Sequence, residues 1–308
     1  MPITNLINAA SKFTINKNHI ALYDPTMQGN RMNIHFFKNH EQIVFDTHSH
    51  GFYEIVIVLK GQLKYTVEGR TYDLCAGDIM LINKLEFHSG VVSASKPYER
   101  FVIWFHPDLL QNWSNLHLGV DLQNCFKLCT QKQNNLLRLD AVSFSKLVYL
   151  AENMCQLFGE MQENDSYNSA LLYAMTFEFL VRLNIAYNKQ QDASKEREQV
   201  GDPKFNDLIA YINTHLDEEL GLDFLAQKFG FSKYHMARAF KDYIGMTIHQ
   251  FVINKRLLQG KYLIELGVLP TKAYLDCGFN DYSNFSRTFK QKYGILPSKL
   301  HEQSMNPQ

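Results

Sequence analysis

Arg238-Ala239-Phe240-Lys241-Asp242-Tyr243-Ile244-Gly245 recurs as Arg287-Thr288-Phe289-Lys290-Gln291-Lys292-Tyr293-Gly294, 49 residues later. The shared pattern is Arg-x-Phe-Lys-x-x-x-Gly. Upstream of it, Gly230-Phe231 recurs as Gly278-Phe279, 48 residues later, so one copy differs by one residue. Each Gly-Phe follows a helical segment, Leu222 to Phe229 and roughly Thr271 to Cys277, and precedes a polar N-cap, Ser232 in one copy and Asn280 or Asp281 in the other. Helix, glycine turn and helix, present twice, is the pattern of a double helix-turn-helix.

The faces of the second helix in each copy can be assigned from spacing. Met236 and Phe240 lie four apart and point inward, as do Phe285 and Phe289. Tyr234, Ala237, Arg238 and Lys241 are left on other faces of the first, and Tyr282, Ser283, Ser286 and Arg287 on those of the second. An arginine in such a place can grip guanine O6 and N7 with two donors, while serine and tyrosine reach base edges or phosphates. An ordinary bundle with a solvated charged face is the competing reading, and the matched spacing of two copies weighs against it. Between the copies a helix is expected from Ile248 to about Leu266. At ~1.5 Å per residue it spans ~28 Å, compatible with two readers one DNA turn apart.

Upstream, residues 189–202 carry only two aliphatic side chains and read as a linker, with Pro203 opening the next helix. Residues 140–188 have helical periodicity: Phe144, Leu147, Leu150, Ala151 and Met154 form one amphipathic segment, and Leu172, Met175, Phe179, Leu180 and Leu183 form a second. Residues 30–106 read instead as short strands, among them Ile34–Phe37, Glu54–Leu59, Leu63–Val67, Ile79–Ile82 and Phe101–Phe105. Lys60-Gly61, Glu68-Gly69-Arg70 and Ala76-Gly77-Asp78 are the turns between them. The expected architecture is α+β and multidomain. A β-barrel unit occupies 1–139, a helical segment 140–188, a linker 189–202 and an all-α double helix-turn-helix unit 203–308.

Length and composition agree: 308 residues favour two domains, and 45% hydrophobic with 20% charged residues is ordinary globular usage. The 31 basic and 31 acidic side chains cancel, which at first argues against a nucleic-acid partner. Divided at the linker, residues 1–202 carry −3 and residues 203–308 carry +3, so the total permits DNA binding without demanding it. Five scattered cysteines read as reduced thiols. Neither a signal peptide nor a run of about 18 apolar residues is evident, so the expectation is a cytoplasmic protein with no membrane partner.

With these motifs in view, residues 205–301 resemble the DNA-binding domain of the AraC/XylS transcription regulators. The matching stretches are Leu225-Ala226-x-x-x-Gly230-Phe231-Ser232, Phe240-Lys241-x-x-x-Gly245, Asn254-x-Arg256-Leu257, Gly278-Phe279, Ser283-x-Phe285-Ser286-Arg287-x-Phe289-Lys290 and Gly294-Ile295-x-Pro297. In that family the second helix of each unit enters successive major grooves. Carried over by position, the resemblance implies DNA contacts from Tyr234, His235, Ala237, Arg238 and Lys241, and from Tyr282, Ser283, Ser286, Arg287 and Lys290. Three positions depart from the family pattern: Ala273-Tyr274 replaces its isoleucine-alanine pair, Pro270 an aliphatic residue, and Gly260 an alanine.

His48-x-His50-x-x-x-Glu54, followed by Gly77-Asp78 and His88, is the second constellation. Histidines two apart on a strand share a face, and Glu54 joins them if the strand stays regular. Three imidazoles and a carboxylate suit Fe, Mn, Ni or Zn. The spacing also resembles the cupin barrel, and residues 30–110 look like the effector-binding cupin of the same regulators. Three roles stay open: pocket groups for an organic effector, ligands of a divalent metal, or histidines bonded to backbone at the barrel mouth. Phe36, Tyr53, Tyr65 and Trp104 are expected as pocket walls, where aromatic faces suit a sugar or an apolar effector. Residues 1–29 are expected as an arm over the pocket, from the resemblance alone.

The reading is a ligand-responsive, sequence-specific regulator that binds double-stranded DNA and is not an enzyme. It is expected to pair as a homodimer through 140–188 and, if an activator, to meet RNA polymerase. Its rivals are a metal-dependent cupin enzyme and a metal sensor, each with a helical interaction domain.

Overall fold

Alternating burial along the strands builds two antiparallel sheets that face each other. A computed structural model describes residues 31–92, 97–114, 119–161, 165–193 and 202–305; the expected arm at 1–29 lies outside them. The strands are β1 (Met32–Asn39), β2 (Ile43–His48), β3 (Tyr53–Lys60), β4 (Gln62–Val67), β5 (Arg70–Cys75), β6 (Asp78–Ile82), β7 (His88–Val92), β8 (Tyr98–Phe105) and β9 (Leu136–Arg138). One sheet has the order β1-β8-β3-β6-β9 and the other β2-β7-β4-β5. This is a jelly-roll arrangement, as the many short strands predict. Strands β2, β5, β7 and β9 were not among the expected runs. β5 alternates buried Arg70, Tyr72 and Leu74 with exposed Thr71, Asp73 and Cys75, and its polar half hides the pattern.

Strand β3 is buried on both faces, and its two sides serve different cores. Tyr53, Ile55 and Ile57 face a helical layer, while Val56 and Val58 pack between the sheets against Leu63, Tyr65 and Tyr72. The helical layer includes two short helices the periodicity did not reveal, α1 (Pro107–Ser114) and α2 (Asn124–Gln131), followed by α3 (Ala141–Glu160) and α4 (Ser166–Ala193). Asp140 caps α3 by accepting from the backbone of Val142 and Ser143. Helix α4 runs to Ala193, so the first residues of the expected linker are helical; 194–201 lie outside the described residues. Helix α4 is long and apolar enough to cross a membrane by length and composition. Its buried Leu172, Phe179, Leu180, Leu183 and Tyr187 instead join the barrel's outer core, so it reads as a core helix.

The C-terminal unit comprises α5 (Pro203–Thr214), α6 (Leu222–Phe229), α7 (Lys233–Ile244), α8 (Ile248–Glu265), α9 (Pro270–Asp276), α10 (Tyr282–Tyr293) and α11 (Pro297–Met305). Ser232 caps α7 and Asp281 caps α10, and Gly245 and Gly294 end them in the left-handed conformation, which glycine adopts without steric penalty. Helix α8 joins two separate cores. Met236, Phe240 and Phe251 belong to one, and Leu257, Phe285 and Phe289 to the other. Two of the three departures from the family pattern fit this packing. Pro270 takes the first turn of α9, where its missing N–H has no partner to lose. Gly260 lies where a β-carbon would come 2.9 Å from the Phe285 ring and 3.2 Å from Cys277 Sγ, so the second core closes onto a bare helix backbone.

Candidate functional site

The histidine constellation assembles inside the barrel. His48 ends β2, His88 opens β7, His50 lies just before β3, and Glu54 projects between the sheets from the inner face of β3. His48 pairs with His88 across the β2–β7 ladder. The ring centroids of His48 and His88 are 4.1 Å apart and those of His50 and His88 4.9 Å. Each histidine offers one ligand atom, and the three atoms lie within 4.8 Å of one another. His50, His88 and Glu54 are buried.

The hydrogen bonds define the protons. Nδ1 of His48 meets Asp46 O at 2.6 Å, Nδ1 of His50 meets Phe52 O at 3.0 Å, and Nδ1 of His88 meets Glu86 O at 2.9 Å. A carbonyl oxygen only accepts, so in each contact Nδ1 donates, and Nε2 is the nitrogen left for the interior. His50 Nε2 is 2.9 Å from Glu54 Oε2, and His88 Nε2 is 3.9 Å from the same oxygen. Trp104 Nε1 also donates to that oxygen at 2.9 Å, and the Tyr65 hydroxyl donates to Oε1 at 3.5 Å. Two lone pairs cannot face each other at 2.9 Å, so the His50–Glu54 contact holds one further proton or a cation in its place. Burial raises the Glu54 pKa, but the hydrogen bond from His50 and the fields of the three imidazoles outweigh it and bring the carboxyl down to about 2. Burial lowers the pKa of His48 and pushes that of His88 well down.

Not every expected pocket wall belongs here. Tyr65 and Trp104 do, through Glu54. Phe36 and Tyr53 do not: Phe36 packs with Phe101 in the outer core, and the Tyr53 ring lies 4.5 Å from that of Phe126 on α2. The reason is the two-residue period of a strand, which puts Tyr53 on the opposite face from Glu54. Phe52, part of the Phe52-Tyr53-Glu54 stretch of the cupin resemblance but not expected as a pocket wall, stacks on His50 at 3.8 Å and packs with Trp104.

The second surface is formed by α7 and α10. Tyr234, His235, Arg238 and Lys241 are exposed on α7, Tyr234 to 89%, and Ala237 is half-buried. On α10, Ser283, Arg287 and Lys290 are exposed and Ser286 is half-buried. Tyr282 departs from expectation: its ring packs edge-on against Tyr274 at 5.6 Å and joins the second core, unlike the free ring of Tyr234. Asn284, overlooked in the sequence, is exposed on α10, and its Oδ1 accepts from the Arg287 guanidinium at 3.2 Å. Its spacing from Arg287, three residues on a helix, was the available signal.

Comparison with known proteins gives the class of each unit. Residues 34–180 match the AraC-like ligand binding domain, and residues 225–303 match a helix-turn-helix domain. The chain belongs to the AraC family of transcription regulators. It is similar to the HTH-type transcriptional activator RhaS of Escherichia fergusonii, 23% identical over 262 residues that cover 85% of this chain and 89% of that protein. RhaS of Mannheimia succiniciproducens is 27% identical over 86% of this chain and 96% of its own length. The probable transcription factor PqrA of Proteus vulgaris is 34% identical over 33% of this chain and 86% of its own length. Among solved structures, ToxT of Vibrio cholerae aligns over 90% of this chain and 99% of its own, at 12% identity and a TM-score of 0.37. This chain is therefore a DNA-binding transcription regulator with a ligand-binding domain, and the rival reading as a cupin enzyme falls.

Proposed function

We propose that this AraC-family regulator receives a small-molecule effector at the inner barrel wall formed by His48, His50, Glu54, Tyr65, His88 and Trp104, and reads DNA through α7 and α10 in adjacent major grooves. The observation that carries the reading is the exposure of Arg238 and Arg287 at matched places on the two repeated helices, above cores that bury Phe240 and Phe289. The donors and acceptors at the barrel wall suit a hydroxylated effector such as a sugar. On α3 and α4 the outward side chains Val142, Tyr149, Tyr167 and Leu171 remain exposed, which supports pairing with a second copy. A cytoplasmic site of action and, if the protein is an activator as the similar RhaS proteins are named, contact with RNA polymerase complete the proposal. Selecting duplexes from a random pool tests it. The protein should enrich a defined site and bind it less tightly as salt rises. Equal retention of all sequences would refute the reading.

A divalent metal is a second reading of the barrel site, favoured by the proton count. Backbone carbonyls hold all three Nδ1 atoms, which turns the Nε2 lone pairs inward as metal-binding histidines require. The residues fit: His48, His50 and His88 would hold the ion with Glu54, and the ion would supply the positive charge that the His50–Glu54 contact needs. A metal sensor of this kind should purify with stoichiometric metal that is lost on His48→Ala. Metal-free protein with unchanged folding excludes it.

A further inference from the structure

One buried ion pair joins the barrel to the DNA-binding unit. Lys255, on α8, places Nζ 2.7 Å from Glu68 Oε1 in the β4–β5 turn, and both side chains are almost fully buried. The same ammonium donates to the Leu85 carbonyl and lies 5.1 Å from the ring centres of both Phe87 and Phe251. Phe87 belongs to the barrel chain yet packs in the first core of the DNA-binding unit, 5.3 Å from Phe251. Glu68 also accepts from the Phe87 N–H at 2.5 Å and from Asn213 of α5 at 3.4 Å. At Gly69 a β-carbon would fall 2.5 Å from the Tyr243 ring of α7, so the turn seats directly on the DNA-binding unit.

The groups that hold Lys255 are chained to the histidine cluster. The Leu85 N–H donates to His50 O at 2.8 Å, and Phe87 immediately precedes His88. Glu68 and Leu85 have φ of 49° and 68°, a left-handed conformation that is uncommon for Glu and an outlier for a bulky Leu. Such backbone persists only where the surroundings hold it, and it concentrates at switch regions.

We infer that Glu68–Lys255 is a conformational latch between the effector barrel and the linking helix α8. A shift of His50 or His88 moves Leu85 and Phe87, and with them two of the four groups that surround the Lys255 ammonium. Because α8 carries one reading unit at each end, docking or release of α8 repositions both together. The inference rests on the barrel cluster as the effector site, but the latch can be tested without any ligand.

The test uses the full chain with Trp113→Phe, which leaves Trp104, hydrogen-bonded to Glu54, as the only tryptophan. Lys255→Met, Glu68→Gln and the double variant are compared by amide hydrogen exchange and by Trp104 fluorescence. Lys255→Met strands the Glu68 carboxylate, so exchange at Leu85, Phe87 and along α8 should rise about tenfold or more. Trp104 emission should shift with it. The double variant leaves no buried charge alone and keeps an amide oxygen for the Phe87 N–H, so both readouts should return most of the way. Retained protection in β3 and β8 separates release from global unfolding. If Lys255→Met unfolds the chain, Glu68→Gln alone is the milder variant, with the same expected direction. Unchanged exchange, or release of α8 with Trp104 unmoved, overturns the latch. A wild-type protein whose DNA affinity ignores every effector, with the latch results intact, refutes instead the assignment of the effector site.

Discussion

Glu54 is the residue on which the barrel site converges, since it accepts from His50, Trp104 and Tyr65. Glu54→Gln keeps its size but removes the charge and turns one acceptor into a donor. Breaking a buried, hydrogen-bonded charge pair costs about 3–5 kcal/mol. Urea unfolding should show a loss of that order, and a loss below ~1 kcal/mol would mean that the contact is not a charge pair. At the other surface, Arg287→Ala should weaken binding to the selected duplex by about 1–3 kcal/mol and relax the preference at one base pair, if the guanidinium grips a base. A uniform loss across all sequences would place it on a phosphate. Asn284→Ala removes the partner that holds this guanidinium, and should lower affinity less than Arg287→Ala does. The histidine and glutamate types and their spacing were legible from the sequence. Bonding of the histidines to backbone was one of the roles the sequence left open, but which carbonyls accept was not legible, because those contacts depend on the irregularity of β2 at Asp46 and on the chain's course at Phe52 and Glu86.

Among the elements, α8 is the most constrained. Alanine is the better helix former by about 1 kcal/mol, so Gly260→Ala should stabilise an isolated helix. In this fold it should destabilise by about 1–3 kcal/mol, because the added carbon meets the buried Phe285 ring and Cys277. A raised melting temperature for Gly260→Ala would show that the second core can yield there. Two neighbouring strands show what alternation can and cannot reveal. β4 has aromatic and β-branched residues and reads plainly as a strand, whereas its partner β5 hides behind Asp73 and Arg70. Arg70 is buried, and its guanidinium donates to Asn135 Oδ1 at 3.2 Å. Helix α2 was missed because its apolar residues, Cys125, Phe126, Leu128 and Cys129, are too few for a period to show.

At the scale of the whole molecule, the charges of the DNA-binding unit set how firmly DNA is held. The unit from Pro203 onward carries an excess of only three positive charges. The logarithm of DNA affinity should therefore fall with the logarithm of salt at a modest slope, about 0.9 per phosphate neutralised, steepened if two copies bind together. Anisotropy titrations across salt measure it. A slope near ten would point to basic contacts beyond α7 and α10. The zero total charge is thus a statement about the strength of non-specific binding and carries none about the class of partner.

By itself the sequence determined the repeat, the capped helices, the inward phenylalanines and the grouping of histidines with a carboxylate. All of these follow from local periodicity and residue chemistry. Only the tertiary structure decided that Tyr53 and Phe36 belong to the helical layer, that Tyr282 packs inward, and that Lys255 meets Glu68. Lys255 did leave a trace, being a charge at a core position, four after Phe251 and three before Leu258. Its partner lies 187 residues away. No local pattern specifies a contact over that separation, since it forms only when surfaces far apart along the chain come together.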